Sequence, residues 1–383
     1  MHCAGIVCEF DPFHNGHKYL LESVRKKGIT HIVCAMSGDL TQRGDVAVAD
    51  KQSRAQCAVN NGADLVVELP PPFCCSCSQV FAQGAVRLLK AAGADCIAFG
   101  SEVDDTQLLS ECADISLDLE NDPDVAAITA DGLSYPRAVS LVIERKYGKK
   151  FVEVFSQPNA TLAVEYIKAA RALGINEFIA IKRKGTDHGS GDIVGSYAAA
   201  GTIRKMLRKE LDVSSLTLLD MTNEQPAFIG RMETHILFTL CTADEQTLKS
   251  CPDINTQILE SIMKMRKSAP STLEELYISL KTKGVTLARL RRISVYLSAG
   301  LESISPDGLD AARVLAFNKR GTELLAAAKE GSVLFDTSLA RIEERVPNIV
   351  QNIIKASYFR YLCTDREQDC INEYTRKITI ERE

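Results

Sequence analysis

The chain opens with an apolar run, residues 3–10, that breaks at Glu9-Phe-Asp-Pro-Phe-His-Asn-Gly-His17 and passes straight into an amphipathic stretch. A buried strand followed at once by a helix is half of a βαβ unit, and the pattern repeats. Residues 31–36, 64–69 and 95–99 read as further strands, and residues 16–27, 51–61 and 78–92 as the helices between them. Strands alternating with helices of ten to fifteen residues predict a parallel sheet covered on both faces. Residues 151–155 and 177–181 are candidates for two more strands, with a helix over 161–173 between them.

Beyond residue 200 the period changes. Residues 202–211, 226–240, 255–265, 272–281, 287–297, 307–316, 321–328 and 347–361 all suit a helical repeat. The expectation is an α/β, Rossmann-like, doubly wound domain over 1–215 and a mainly helical domain over 216–383.

With 383 residues, 45% of them hydrophobic and 25% charged, the chain is neither disordered nor fibrous. The net charge of −5 means that a nucleic-acid partner would need a local basic patch. No long uncharged apolar run reads as a membrane span, and the first residues lack the basic and apolar blocks of a signal peptide, so a cytoplasmic protein is expected. In that compartment the 13 cysteines read as reduced, buried small hydrophobes, the cluster Cys74, Cys75 and Cys77 included.

The break after the first strand carries the chemistry. It lies where open α/β sheets bind ligands, and a helix N-terminus there is predicted to offer free N–H groups to phosphate. His14 and His17 fall on one face of the first turn, as hydrogen-bond donors to charge that develops on phosphate oxygens. Gly16 is expected to let a nucleotide lie close to the backbone, while Asp11 and Pro12 shape the turn. Composition alone yields such an H-x-G-H about 0.006 times per chain. No metal site is predicted, because H-x-x-H lacks a third ligand.

This strand-then-H-x-G-H arrangement resembles the nucleotidyltransferase superfamily that includes the class I aminoacyl-tRNA synthetases. Further stretches narrow the likeness: Met36-Ser-Gly-Asp-Leu-Thr-Gln-Arg-Gly44, Lys51 with Arg54, Gly62-Ala-Asp-Leu-Val-Val-Glu-Leu-Pro70, Phe99-Gly-Ser-Glu102, Gln157-Pro-Asn159 and Ile181-Lys-Arg183. In that order they resemble the bacterial tRNA(Met) cytidine acetate ligase family. The resemblance implies that acetate and ATP give acetyl-adenylate and pyrophosphate. The acetyl group then passes to N4 of the wobble cytidine of elongator tRNA(Met), giving N4-acetylcytidine. It assigns catalysis to His14 and His17. It assigns ATP binding to the first loop, Ile6, Val7, Cys8, Glu9, Phe10, Asp11, Phe13, Asn15, Gly16 and Lys18, and to Gly100, Asn159 and Arg183. Mg²⁺ is expected to accompany ATP as substrate.

Ser37 and Gly38 follow the second strand at the same sheet edge and join the expected ATP site, with Gln42, Arg43, Lys51 and Arg54 adding positive charge or donors nearby. Thr202 and Arg204 keep the end of the superfamily's second signature, whereas Ala199, Ala200 and Gly201 stand where hydroxyl side chains are usual. The basic run Lys281, Lys283, Arg289, Arg291 and Arg292 is the expected tRNA contact, with a smaller cluster at Lys205, Arg208 and Lys209. The competing function is adenylyl or cytidylyl transfer to a small phosphometabolite.

Overall fold

The structure is a computed structural model that describes residues 1–133, 135–184, 193–282, 284–328, 331–366, 370 and 372–380. β1 (Cys3–Cys8), β2 (His31–Ser37), β3 (Leu65–Leu69), β4 (Cys96–Ser101) and β5 (Glu177–Lys182) are parallel and lie in the order β5-β4-β1-β2-β3. Side chains alternate between two cores. Val33 and Ala35 of β2 pack on one face, beside Phe81 and Ala85 of the helix Ser78–Ala91 and Ala163 and Ile167 of the helix Pro158–Ala172. Ile32, Cys34 and Met36 pack on the other, beside Leu21 and Val24 of the helix Asn15–Arg25 and Ala55 and Ala58 of the helix Lys51–Asn60. Apolar residues on both faces of continuous runs are what a doubly covered parallel sheet requires, so the expected α/β class holds.

Two expectations of local structure do not. Residues 151–155 form part of the helix Lys149–Phe155, not a strand. Phe151 and Val154 are buried there, and tertiary packing overrides the strand preference of Val and Phe. Residues 307–316 are not a helix: β6 (Ala311–Phe317) joins the sheet antiparallel to β3. β7 (Leu334–Asp336) and β8 (Thr379–Ile380) pair parallel to β6. The sheet therefore spans the expected boundary near residue 215. The helices Thr106–Asp118, Pro123–Ala130, Tyr135–Lys146 and Leu339–Arg345 fall where the sequence offers no clear signal. Between β5 and β6 the chain is helical as expected, with Glu233–Thr242, Thr256–Met265, Leu273–Leu280 and Leu287–Ser298.

Ten cysteines are buried, Cys77 and Cys241 are half-buried, Cys370 is exposed, and all 13 are free thiols. Burial pushes the Cys75 and Cys74 thiols well up, so both behave as packing groups.

Candidate active site

β1 sits between β4 and β2, so the sheet reverses its strand order at β1, the usual ligand crevice of such folds. A cleft of ≈ 350 Å³ opens there. The first loop enters it sharply, with Phe10 at φ +48° and a cis peptide between Asp11 and Pro12.

The helix Asn15–Arg25 then begins with an arrangement made by the two histidines themselves. His14 Nδ1 accepts from the Gly16 N–H at 3.0 Å, and His17 Nδ1 accepts from the His14 N–H at 3.2 Å. This is a capping box in which imidazoles replace the usual hydroxyl and carboxyl. The rings stack at 3.7 Å, with Phe10 4.9 Å and Phe13 5.6 Å from His17. An accepting Nδ1 fixes the tautomer, so each neutral ring carries its proton on Nε2. Burial, then Arg183 and Arg204, pushes His14 down to about 3; burial, then His14 and Arg183, holds His17 well below the ordinary histidine value. Both rings line the cleft as neutral donors at pH 7.

One reading of this turn needs correction. The N–H groups of Asn15, Gly16, His17 and Lys18 all have acceptors, Leu216 O, His14 Nδ1 and His14 O, so this terminus leaves none free for phosphate. A Cβ at Gly16 would lie 2.8 Å from His14 Cε1, so glycine there makes room for the capping ring.

The open helix terminus is elsewhere. Ala200–Leu207 starts at Ala199, which has no side-chain cap, and Ala199, Ala200, Gly201, Thr202 and Lys205 line the cleft. The small residues in place of hydroxyls leave the backbone dipole uncovered, an anion site of the kind phosphates use. Arg204 crosses to the Asp11 carbonyl at 2.6 Å and the Asp11 carboxylate at 3.2 Å. Arg183 follows β5 and also lines the cleft; burial and the nearby Arg43 disfavour its charge, and Glu102 partly offsets them. No carboxylate among the described residues forms an ion pair with it. Such a cation is poised for an anionic ligand.

Of the expected ATP residues, Val7, Cys8, Glu9, Phe10, Asp11, His14, His17, Gly100, Asn159, Arg183, Thr202 and Arg204 line the cleft. The others support it. Ile6 and Phe13 are fully buried beneath it, and Asn15 Nδ2 ties Ser196 and Ser215 carbonyls to the first loop. Gly16 borders a small niche with Arg183 and Tyr197. Lys18 is half-buried outside the lining. Ser37 and Gly38 are buried; a Cβ at Gly38 would lie 2.2 Å from Glu68 Oε1. They shape the floor and do not face the cleft.

Lys51 and Arg54 are neither phosphate ligands nor a solvated face. Arg54 is fully buried and donates to the carbonyls of Glu9 at 2.6 Å, Ser37 at 3.1 Å and Ala49 at 3.1 Å, and also to Gly38. One guanidinium thus clamps the ends of β1 and β2 together. Lys51 Nζ lies between Asp39, Glu68 and Glu373 at 2.9, 3.0 and 3.1 Å. Asn159 is not its helix's cap either. Gln157 holds the N-cap position without a side-chain bond, and Glu102, directly after β4, supplies the cap, accepting from Ala160 N at 3.0 Å and Asn159 Nδ2 at 2.5 Å.

Sequence reasoning passed over several lining residues: Leu20, Phe81, Phe99, Leu162 and Tyr166. Leu162 and Tyr166 stand four apart on one helix face, a spacing equally expected of plain core. Glu9 is pushed up by burial while it accepts from the Gln42 N–H at 2.7 Å.

The basic run divides. Lys281 and Arg291 line a groove of ≈ 960 Å³ with Arg208, Arg231, Phe228 and Tyr277. Arg208 and Arg231 lie over the Phe228 ring at 5.2 and 5.6 Å. The groove adjoins the cleft: Asp45 lines it two residues after Arg43, and Arg208 ends the helix that begins in the cleft. Arg292, by contrast, is buried against Asp253 at 2.6 Å, and Arg289 donates to the Asp253 carbonyl at 2.8 Å. Arg292 therefore leaves the expected RNA contact, because its charge is committed inside the protein. Lys283 lies outside the described residues. Among the described residues, one possible metal-ligand group, His2, Cys96 and Glu177, lies at the opposite edge of the sheet from the cleft.

A sequence profile of the HIGH Nucleotidyl Transferase family matches residues 1–373. The tRNA(Met) cytidine acetate ligase of Thermoanaerobacter sp. (strain X514) is 31% identical over 364 residues, covering 90% of each chain. That of Streptococcus uberis is 36% identical over 341 residues, covering 86% of this chain and 87% of its own. The chain belongs to the tRNA(Met) cytidine acetate ligase family. The fold of this family member agrees with the crystal structure of Thermotoga maritima TmcAL bound with alpha-thio ATP, at a TM-score of 0.87, 24% identity and 100% coverage of both chains.

Proposed function

We propose that this ligase activates acetate with ATP and acetylates N4 of the wobble cytidine of elongator tRNA(Met). The observation that carries the reading is the histidine pair: two neutral rings, each locked by a backbone amide at Nδ1, at the crevice of the sheet. The acetate carboxylate oxygen attacks the α-phosphorus, and the bond to the bridging oxygen breaks, releasing pyrophosphate. The His14 and His17 Nε2–H groups donate to the non-bridging α-oxygens, where charge accumulates. Arg183, Thr202 and the uncapped terminus at Ala200 hold the β- and γ-phosphates. Arg204 keeps Asp11 and the first loop in register. The cytidine N4 then attacks the acyl carbon and AMP leaves.

No side-chain nucleophile is needed. Mg²⁺ enters as part of the ATP substrate. Among the described residues the cleft carboxylates do not form a cage for it: Glu9 accepts from Gln42, and Asp11 faces Arg204 and Val48 N. Lys281, Arg291 and Arg208 in the adjoining groove are suited to RNA phosphates. The direct test supplies labelled acetate, Mg-ATP and unmodified tRNA(Met). Label in N4-acetylcytidine, with one AMP and one pyrophosphate per acetyl group, is expected. Nucleotidyl transfer to a phosphometabolite without tRNA dependence would replace this reading by the small-molecule one.

A further inference from the structure

We infer that Glu102 is a positioning residue that turns Asn159 so that the nucleoside of ATP meets a hydrogen-bond acceptor. The inference rests on the reading that ATP occupies the cleft. Glu102 directly follows β4, and Asn159 stands in the first turn of the helix Pro158–Ala172. Both Glu102 oxygens are engaged, Oε1 with Asn159 Nδ2 at 2.5 Å and Oε2 with Ala160 N at 3.0 Å. An ionised carboxylate only accepts, so the amide nitrogen of Asn159 must face it. The reverse orientation would set oxygen against oxygen. Asn159 lines the cleft, and with Nδ2 turned to Glu102 through one of its two hydrogens, Oδ1 is its acceptor on the side away from that carboxylate. The carboxylate thus fixes which way an ambidextrous side chain faces, and so where its acceptor oxygen lies. A nucleoside has two kinds of donor that fit, a ribose hydroxyl and the adenine 6-amino group.

A site built to accept a hydrogen bond rejects an analogue lacking the donor, because its polar atom is left unpaired. Glu102 also supports the charge of Arg183, but that effect acts on any triphosphate alike. Discrimination between nucleosides therefore separates the two.

The test measures equilibrium binding of ATP, 2′-deoxy-ATP, 3′-deoxy-ATP and purine riboside triphosphate, which lacks the 6-amino group. The proteins are the wild-type chain, Glu102→Gln, Asn159→Ala and the double variant. The wild-type chain is expected to bind one analogue about tenfold more weakly than ATP. In Glu102→Gln that preference collapses, because the new amide must give up one partner and frees Asn159 to turn. In Asn159→Ala it collapses equally, and adding Glu102→Gln changes it no further. If the glutamine variant fails to fold, Asn159→Ala carries the test, since Glu102 keeps its cap on Ala160. A wild-type chain that binds ATP and all three analogues alike overturns the inference, as does a preference that survives in Glu102→Gln. A wild-type chain that binds no ATP overturns the cleft assignment as well.

Discussion

Two imidazoles that spend Nδ1 on backbone amides gain nothing from a second proton, and burial makes that proton costly. The unfolded chain returns each ring to its ordinary value of 6.5, whereas the fold holds His14 near 3. Between those values the unfolded state binds more protons, so stability is full above about pH 6.5 and falls as pH drops toward 3. At pH 5, His14 alone removes about 2 kcal/mol. Urea midpoints at pH 7 and 5 check this, and His14→Gln is expected to lose less on acidification. The same neutrality predicts a flat rate of acetate activation from pH 6 to 8, with no limb at the usual histidine value. His14 and His17 were legible in the sequence, but their mutual cap was not, because it depends on ring orientation rather than spacing. In the groove, Lys281→Ala and Arg291→Ala are each predicted to lower the salt slope of tRNA binding by about one. Arg292→Ala instead strands Asp253 and lowers stability with little change in that slope.

Loops at strand ends hold a catalytic geometry only when something ties them down. Arg54 does this for β1 and β2 through four carbonyls. Arg54→Met is expected to cost more than about 3 kcal/mol, since buried carbonyls lose a charged donor, and to weaken ATP binding without any direct contact. Lys51→Met leaves Asp39 and Glu68 buried without their cation, while Glu373 keeps Arg313 and Arg376, and is predicted to cost about 3–5 kcal/mol. Both read in the sequence as positive charge beside the ATP site rather than as buried clamps, because a charged residue on a helix carries no mark of burial. β6 was misread for a related reason. Its run AARVLAF is apolar but for Arg313, which looks like the polar face of a helix; in the fold Arg313 is buried against Glu373. Continuous apolar runs do not reveal their period. β1 to β5 were legible because each is bounded by turn residues and by helices of a length that forces a crossover.

The molecule is closed by its own distant parts. β6 covers the edge of β3, Arg360 donates to the Ala47 and Val48 carbonyls, and Arg376 pairs with Asp50 at 2.7 Å. A fragment of residues 1–215 would expose the β3 edge and leave Lys51 without Glu373. It is predicted to show no cooperative unfolding, while the full chain melts in one transition by calorimetry. No helix among the described residues is long and apolar enough to cross a membrane. The central claim is that the histidine pair drives acyl-adenylate formation, and acetate-dependent ATP–pyrophosphate exchange measures that step alone. The wild-type chain is predicted to exchange only with acetate present, and His17→Ala to lose about 10²–10³ of the rate, the usual cost of one preorganised donor. Exchange that ignores acetate, or that persists at full rate in His17→Ala, would contradict the account.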